Sequence, residues 1–212
     1  MSEKIREVKN NYKDVIISWE QKAVEWDFKT KYEQLGLVGY TKEKMLPITF
    51  YGKEYWINRE NGGIYKAGEE RKAGFDTAMS IYSLFFHSVE HPRNAGIWVP
   101  FRDVKRAAPF TEAFKRTILQ PFSAAFEGQL EKLLVAGEKL GFERITYSDA
   151  GFQAMAFSCM PIQFLFWDGD EEFPAQANIL FDSEITDYIH EETVVLIAGE
   201  GTKRLMGTAG VL

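Results

Sequence analysis

The feature that most constrains the fold is the patterning between Phe152 and Phe181. Phe152, Met155 and Phe157 fall in one apolar run, and Ile162, Phe164 and Phe166 alternate with other residues in the next, with Pro161 between them. A period of two marks a strand with one buried face. The acidic bend Asp168-Gly169-Asp170-Glu171-Glu172 follows, and then a further strand from Ala177 to Phe181. If the strands flanking the bend pair as a hairpin, Asp182 lies at the end of the returning strand, away from the bend.

Helical periods surround this sheet. Ile5, Val8, Tyr12, Val15, Ile16, Trp19, Ala23 and Trp26 recur at three- and four-residue steps, which predicts a long amphipathic N-terminal helix over 1–35, stopped near Gly36. It is read either as a helix laid across the domain or as a partner helix, since tryptophans on one stripe are common anchors. Pro47 to Ala67 reads as a three-stranded meander with turns at Gly52-Lys53 and Asn61-Gly62-Gly63. Phe75, Met79, Tyr82 and Phe86 sit at helical spacing up to His87, and Ile97-Trp98-Val99 reads as a short strand. A helical pair is expected over 111–140. Thr111 would cap a helix through Leu119, and Pro121 would open a second carrying Phe122, Phe126, Leu130, Leu133 and Leu134, ended by Gly141. Ser183 would open a C-terminal helical region, 183–206, with Gly199 and Gly201 weakening its later part. No repeat or linker interrupts the chain, so one domain is expected over 1–212. Its class is α+β, mainly antiparallel sheet flanked by helices.

Composition excludes several functions. The 25 basic and 31 acidic residues give a net charge of −6 with no basic stripe, so no nucleic-acid partner is expected. The single cysteine, Cys159, forbids an intramolecular disulfide, a cysteine-ligated zinc knuckle and an iron–sulfur cluster held by this chain alone. It lies in an apolar stretch and reads as a core thiol. The most apolar segment, Ala154 to Trp167, is shorter than the roughly 20 residues a bilayer span needs. The opening MSEKIREVKNN lacks the apolar core of a signal peptide. A soluble, cytoplasmic protein without a membrane partner is expected. The 17 Phe, 9 Tyr and 5 Trp supply a core that needs no staples.

Two constellations could carry chemistry. Asp168, Asp170, Glu171 and Glu172 could offer oxygen ligands to a divalent cation, although the EF-hand pattern fails at Phe173 and Ile179. The alternative is a solvated turn. His87-Ser88-Val89-Glu90-His91 matches H-x-x-E-H, which would place His87 and His91 on one helix face as metal ligands, with Glu171 or Glu172 as a third. The alternative is two histidines near a helix C-terminus that interact only with its dipole. Trp98 and Trp167, with Phe101, Phe164, Phe166 and Phe173, could wall a ligand cleft beside the bend. Phe173 itself is expected to anchor the bend against the core, with Pro174 fixing the exit of the chain. Gly199-Glu200-Gly201 lacks the third glycine of a dinucleotide fingerprint.

The string Asp170-Glu171-Glu172-Phe173-Pro174-Ala175, followed by Ile179-Leu180-Phe181-Asp182 and preceded by Pro161-Ile162, resembles the prokaryotic domain-of-unknown-function family DUF3786. Ile97 to Phe101, the Gly52 to Tyr65 meander and a closing helix from Glu191 to Leu205 look like that family too. The resemblance covers about Phe50 to Leu205. It implies a soluble bacterial or archaeal protein, but no activity and no catalytic residues. Three functions stay open: a non-catalytic small-ligand-binding or accessory protein, a divalent-metal-dependent enzyme using Asp168 to Glu172, and an interaction subunit working through its N-terminal helix. The expected partners are a small molecule or a protein, a second copy of the chain included.

Overall fold

The computed structural model describes residues 2–212, with side chains from Asn11 onwards. The chain opens with helix α1 (Ser2–Ala23) and, after a turn, helix α2 (Phe28–Gln34). The single helix expected over 1–35 is therefore two. The break is specified locally: Asp27 accepts from the Thr30 N–H at 3.2 Å and from the Thr30 hydroxyl at 2.7 Å, so it caps a new helix instead of continuing the old one. The Ile5 and Val8 side chains of the expected stripe lie outside the described residues. Trp19 stacks on Tyr82 and Trp26 on Phe85, so both tryptophans are used within the chain, against helix α3 (Phe75–His87).

The meander is present as strands β1 (Met45–Phe50), β2 (Lys53–Asn58) and β3 (Ile64–Lys66), which form an antiparallel three-stranded sheet. Its first turn is Tyr51-Gly52, not Gly52-Lys53. Both residues take positive φ, +46° and +72°, as a two-residue hairpin turn with the twist of its strands requires. Within that turn Gly52 is exposed but Tyr51 is buried. The Tyr51 N–H donates to the Ala156 carbonyl at 2.8 Å and its hydroxyl donates to the Ile197 carbonyl at 3.0 Å.

The second sheet has five antiparallel strands: β4 (Trp98–Pro100), β5 (Glu143–Ile145), β6 (Ala150–Phe157), β7 (Met160–Trp167) and β8 (Gln176–Asp182), in the order β4-β8-β7-β6-β5. Pro161 does not separate β6 from β7 but lies within β7 opposite Met155, beside a bulge between Met155 and Phe157. A bulge tolerates a residue that cannot donate to the ladder. The turn is Ser158-Cys159, and burial pushes the Cys159 thiol up to about 12, as suits a core thiol.

Between the sheets' strands run the remaining helices. Residues 111–126 form one helix in three parts: α4 (Thr111–Phe114), a π turn (Lys115–Leu119) and α5 (Gln120–Phe126). The expected break at Pro121 is absent. In a regular helix the proline ring would strike the carbonyl four residues back, Thr117, and its missing N–H would orphan it. The wider turn just before it, with the Gln120 N–H reaching the Lys115 carbonyl, absorbs the misfit. Thr111 makes no capping hydrogen bond. The true interruption is Glu127-Gly128-Gln129, where Gly128 has φ +66°, and α6 (Leu130–Lys139) follows. The last helix, α7 (Glu191–Ala209), begins later than Ser183 and runs straight through Gly199 and Gly201. There α7 lies against β7: a Cβ on Gly201 would sit 2.3 Å from Phe164 Cζ. The core lies between this sheet face and α5, α6 and α7, with Phe122 and Phe126 against Phe166. The fold is α+β. Among the described residues no helix is long and apolar enough to cross a membrane.

Candidate ligand cleft

The acidic bend does link β7 to β8, but its two aspartates are spent on the chain itself. Asp168 accepts from the N–H groups of Gly128, at 2.8 Å, and Gly169, at 2.9 Å. Asp170 accepts from Glu172 and Phe173, each at 2.8 Å, and these two backbone donors hold its carboxyl below the usual aspartate range. Glu171 and Glu172 point to solvent, with no hydrogen bond or ion pair to their carboxylates among the described residues. Phe173 is 62% exposed, so it does not anchor the bend; capping by Asp170 and the Glu127 carboxylate on the Ala175 N–H, at 3.1 Å, do that instead.

The other residues picked out in the sequence do not join the bend. Trp98 pairs with Asp182 and Trp167 with Gln176, so the two tryptophans stand at opposite ends of β8, about 20 Å apart at ~3.3 Å per residue. No aromatic-walled cleft forms between them. His87 closes α3, and Ser88 after it is extended (ψ 132°), so His91 is not one helical turn away on the same face. Val89 N–H donates to the Asp187 carbonyl at 2.9 Å, which ties this segment beyond the Asp182 end of β8, far from the bend. Among the described residues, no group of three or more His, Cys, Asp or Glu side chains is placed to hold a metal ion. Asp182, buried, instead accepts from the N–H groups of Ala95, Gly96 and Glu184 at 2.7–3.0 Å and pins the loop before β4.

His87 faces a histidine with no motif around it. Its ring is 5.1 Å from that of His190, which caps α7 by accepting from the Glu192 N–H at 3.3 Å. Burial first, and then His190, Arg106 and Lys22, push the His87 pKa below its ordinary value, against an opposing pull from Glu191. The unfolded chain therefore binds the proton more readily than the native one. Stability should fall as pH drops below about 6.5, the unfolded value, towards the lower native one. Urea unfolding from pH 7.5 to 5 should show that loss, with a smaller one in His87→Gln; an equal pH dependence in both would refute the assignment.

A concavity lies elsewhere, at the bend's exit. Strand β4 covers only Leu180 to Asp182 of β8 before the chain turns off into a 3₁₀ turn at Phe101–Asp103, leaving the start of β8 without a neighbour on that side. The Ile179 N–H is satisfied there by the Asn178 side chain at 2.9 Å. Across from this uncovered edge runs the 111–126 helix with its π turn. The space between is a cleft of about 500 Å³, within the range of small-molecule sites. Phe101 and Phe114, buried and stacked with centroids 4.2 Å apart, make its floor. Gln120, Ser123, Gln176 and Asn178 line it with amides and a hydroxyl, and Lys115 and Arg102 bring two cations to it. Arg102 contacts Asp103 at 3.7 Å in a solvated pair, while Lys115 has no ion pair among the described residues. No carboxylate, imidazole or thiol is among the lining residues. Sequence reading named Phe101 as a cleft wall but missed the rest of this site, because its walls come from three separated segments. The one local signal was Pro121 inside a helical period, which forces the π turn that carries Lys115.

Fold and site together define a two-sheet α+β domain with a cation-bearing cleft at a sheet edge. The family described as Domain of unknown function (DUF3786) matches residues 27–204, and the chain belongs to it. The match starts after α1, which lies outside the shared domain. No curated protein and no solved structure matches the chain.

Proposed function

We propose that the protein binds an anionic small molecule in the cleft between β8 and the 111–126 helix, without covalent chemistry there. The observation that carries this reading is the composition of the lining: two cations and several amide groups over a stacked aromatic floor, with no carboxylate or imidazole in the lining to activate the Thr111 and Ser123 hydroxyls or the Lys115 amine. Cations recognise carboxylate or phosphate, the floor accepts a flat apolar body, and the amides fix its orientation. The reading takes the protein to be a soluble cytoplasmic one of prokaryotic cells. Its lone cysteine is in keeping with a reducing compartment.

A thermal-shift screen with mono- and dicarboxylates and phosphate esters, followed by calorimetry on any hit, tests it. A ligand at 100 times its Kd should add about 2.7 kcal/mol of stability. Binding should weaken at least tenfold in Lys115→Ala and in Arg102→Ala, since charge-assisted hydrogen bonds contribute ~1.5–3 kcal/mol. If no compound in the panel binds, or if hits bind both variants as tightly as the native protein, the cleft is not the site.

A further inference from the structure

We propose that a second copy of this chain seats its Asp170–Phe173 bend in the cleft, giving a two-fold dimer in which each protomer supplies one bend and one cleft. Three observations meet here. Phe173, 62% exposed, closes a bend whose next residues, Pro174 and Ala175, already form the wall of the protomer's own cleft. Donor and acceptor surfaces are thus neighbours, which is what a self-complementary two-fold interface requires. The bend is also pre-shaped. Besides the two donors that Asp170 takes, its own N–H donates to the Phe173 carbonyl at 2.9 Å, so little ordering would be lost on docking. Finally, the charges match: Glu171 and Glu172 immediately precede the exposed ring, and Lys115 and Arg102 line the cleft whose apolar floor, Phe101 and Phe114, would receive it. On a chain with a net charge of −6, this local reversal of sign is what would let one copy approach another.

The inference shares the cleft with the ligand reading but requires no ligand, so the ligand-free protein tests it alone. Sedimentation velocity over a concentration series should show a monomer–dimer equilibrium. Phe173→Ala should weaken it at least about 30-fold, the loss typical of an aromatic hot spot, with an unchanged melting curve for the monomer because the ring is exposed. Glu171→Lys/Glu172→Lys and Arg102→Glu/Lys115→Glu should each be monomeric. Mixed in equal amounts, these two double variants should dimerise again, because in a two-fold dimer both bend–cleft contacts are then matched. A monomeric native protein at every concentration overturns the proposal. So does a dimer indifferent to Phe173→Ala and to both charge reversals, or a mixture that stays monomeric. A monomeric native protein leaves the ligand reading untouched, whereas a dimer would make a carboxylate or phosphate ester compete with the bend for the cleft.

Discussion

Replacing Arg204 with methionine should lower stability by about 3–5 kcal/mol, the largest effect expected of any single substitution considered. Arg204 is 7% exposed on α7, beneath the tip of the β1–β2 hairpin. Its guanidinium donates to the Phe50 carbonyl at 3.0 Å, the Tyr51 carbonyl at 2.8 Å, the Tyr55 hydroxyl at 3.2 Å and the Glu200 carboxylate at 3.0 Å. The fork geometry of arginine satisfies all four at once, and it lies 5.4 Å from the Phe50 and Tyr51 ring centroids as well. Methionine fills similar space but leaves two turn carbonyls without a donor and Glu200 without its cation. Each buried orphan costs about 1–3 kcal/mol. Urea denaturation at neutral pH should show the loss, with a melting point lower by roughly 10 °C for a chain of this length. Glu200→Gln should cost much less, because it keeps an acceptor for the same arginine. Equal effects would mean that the ion pair, and not the hairpin tip, is what Arg204 stabilises.

Gly201→Ala should destabilise the protein by about 1–3 kcal/mol, although alanine is the better helix former by about 1 kcal/mol. The sign is decided by contact. The new methyl would meet Phe164 Cζ at 2.3 Å and the Tyr51 hydroxyl at 2.9 Å. Neither neighbour has room to yield. Phe164 is buried within β7 and stacked on Phe142, and the Tyr51 hydroxyl is held by the Ile197 carbonyl. A methyl here therefore lifts α7 from the sheet. A stabilised Gly201→Ala in the same denaturation assay would show that α7 does not press on β7 in this way.

These two positions also show where sequence reading stopped. Gly201 has the appearance of a helix breaker when only propensity is counted, and Arg204 that of an ordinary surface cation near a chain end. Both acquire their roles from β1, β2 and β7, which lie far away in the chain. The short strand β5 went unnoticed because two of its three residues are charged and a three-residue strand has no period to read. Pro121 and Pro161 suggested boundaries because proline is a poor fit inside regular elements; a π turn and a bulge let the elements continue past them.

The candidate sites divide in the same way. The Asp168 to Glu172 cluster was plain in the sequence, but whether a carboxylate is free depends on the nearby N–H groups, and those of Gly128, Gly169, Glu172 and Phe173 claim the two aspartates. His87 and His91 matched a motif whose meaning requires a continuous helix, and α3 ends at His87. The cleft draws Arg102, Lys115 and Asn178 together from separate segments of the chain, none of which carries a motif.

The amino-acid sequence by itself determined the α+β class, the mainly antiparallel sheet, the presence of the helices though not their breaks, and the family, because periodicity and turn chemistry act between residues a few positions apart. Only the tertiary structure decided that Tyr51 in the first turn of the meander is buried, that the bend's aspartates are spent on backbone donors and that a cation-bearing cleft opens beside β8. Those outcomes depend on which distant groups become neighbours when the sheets and helices pack, and burial and hydrogen-bond satisfaction are properties of that packing.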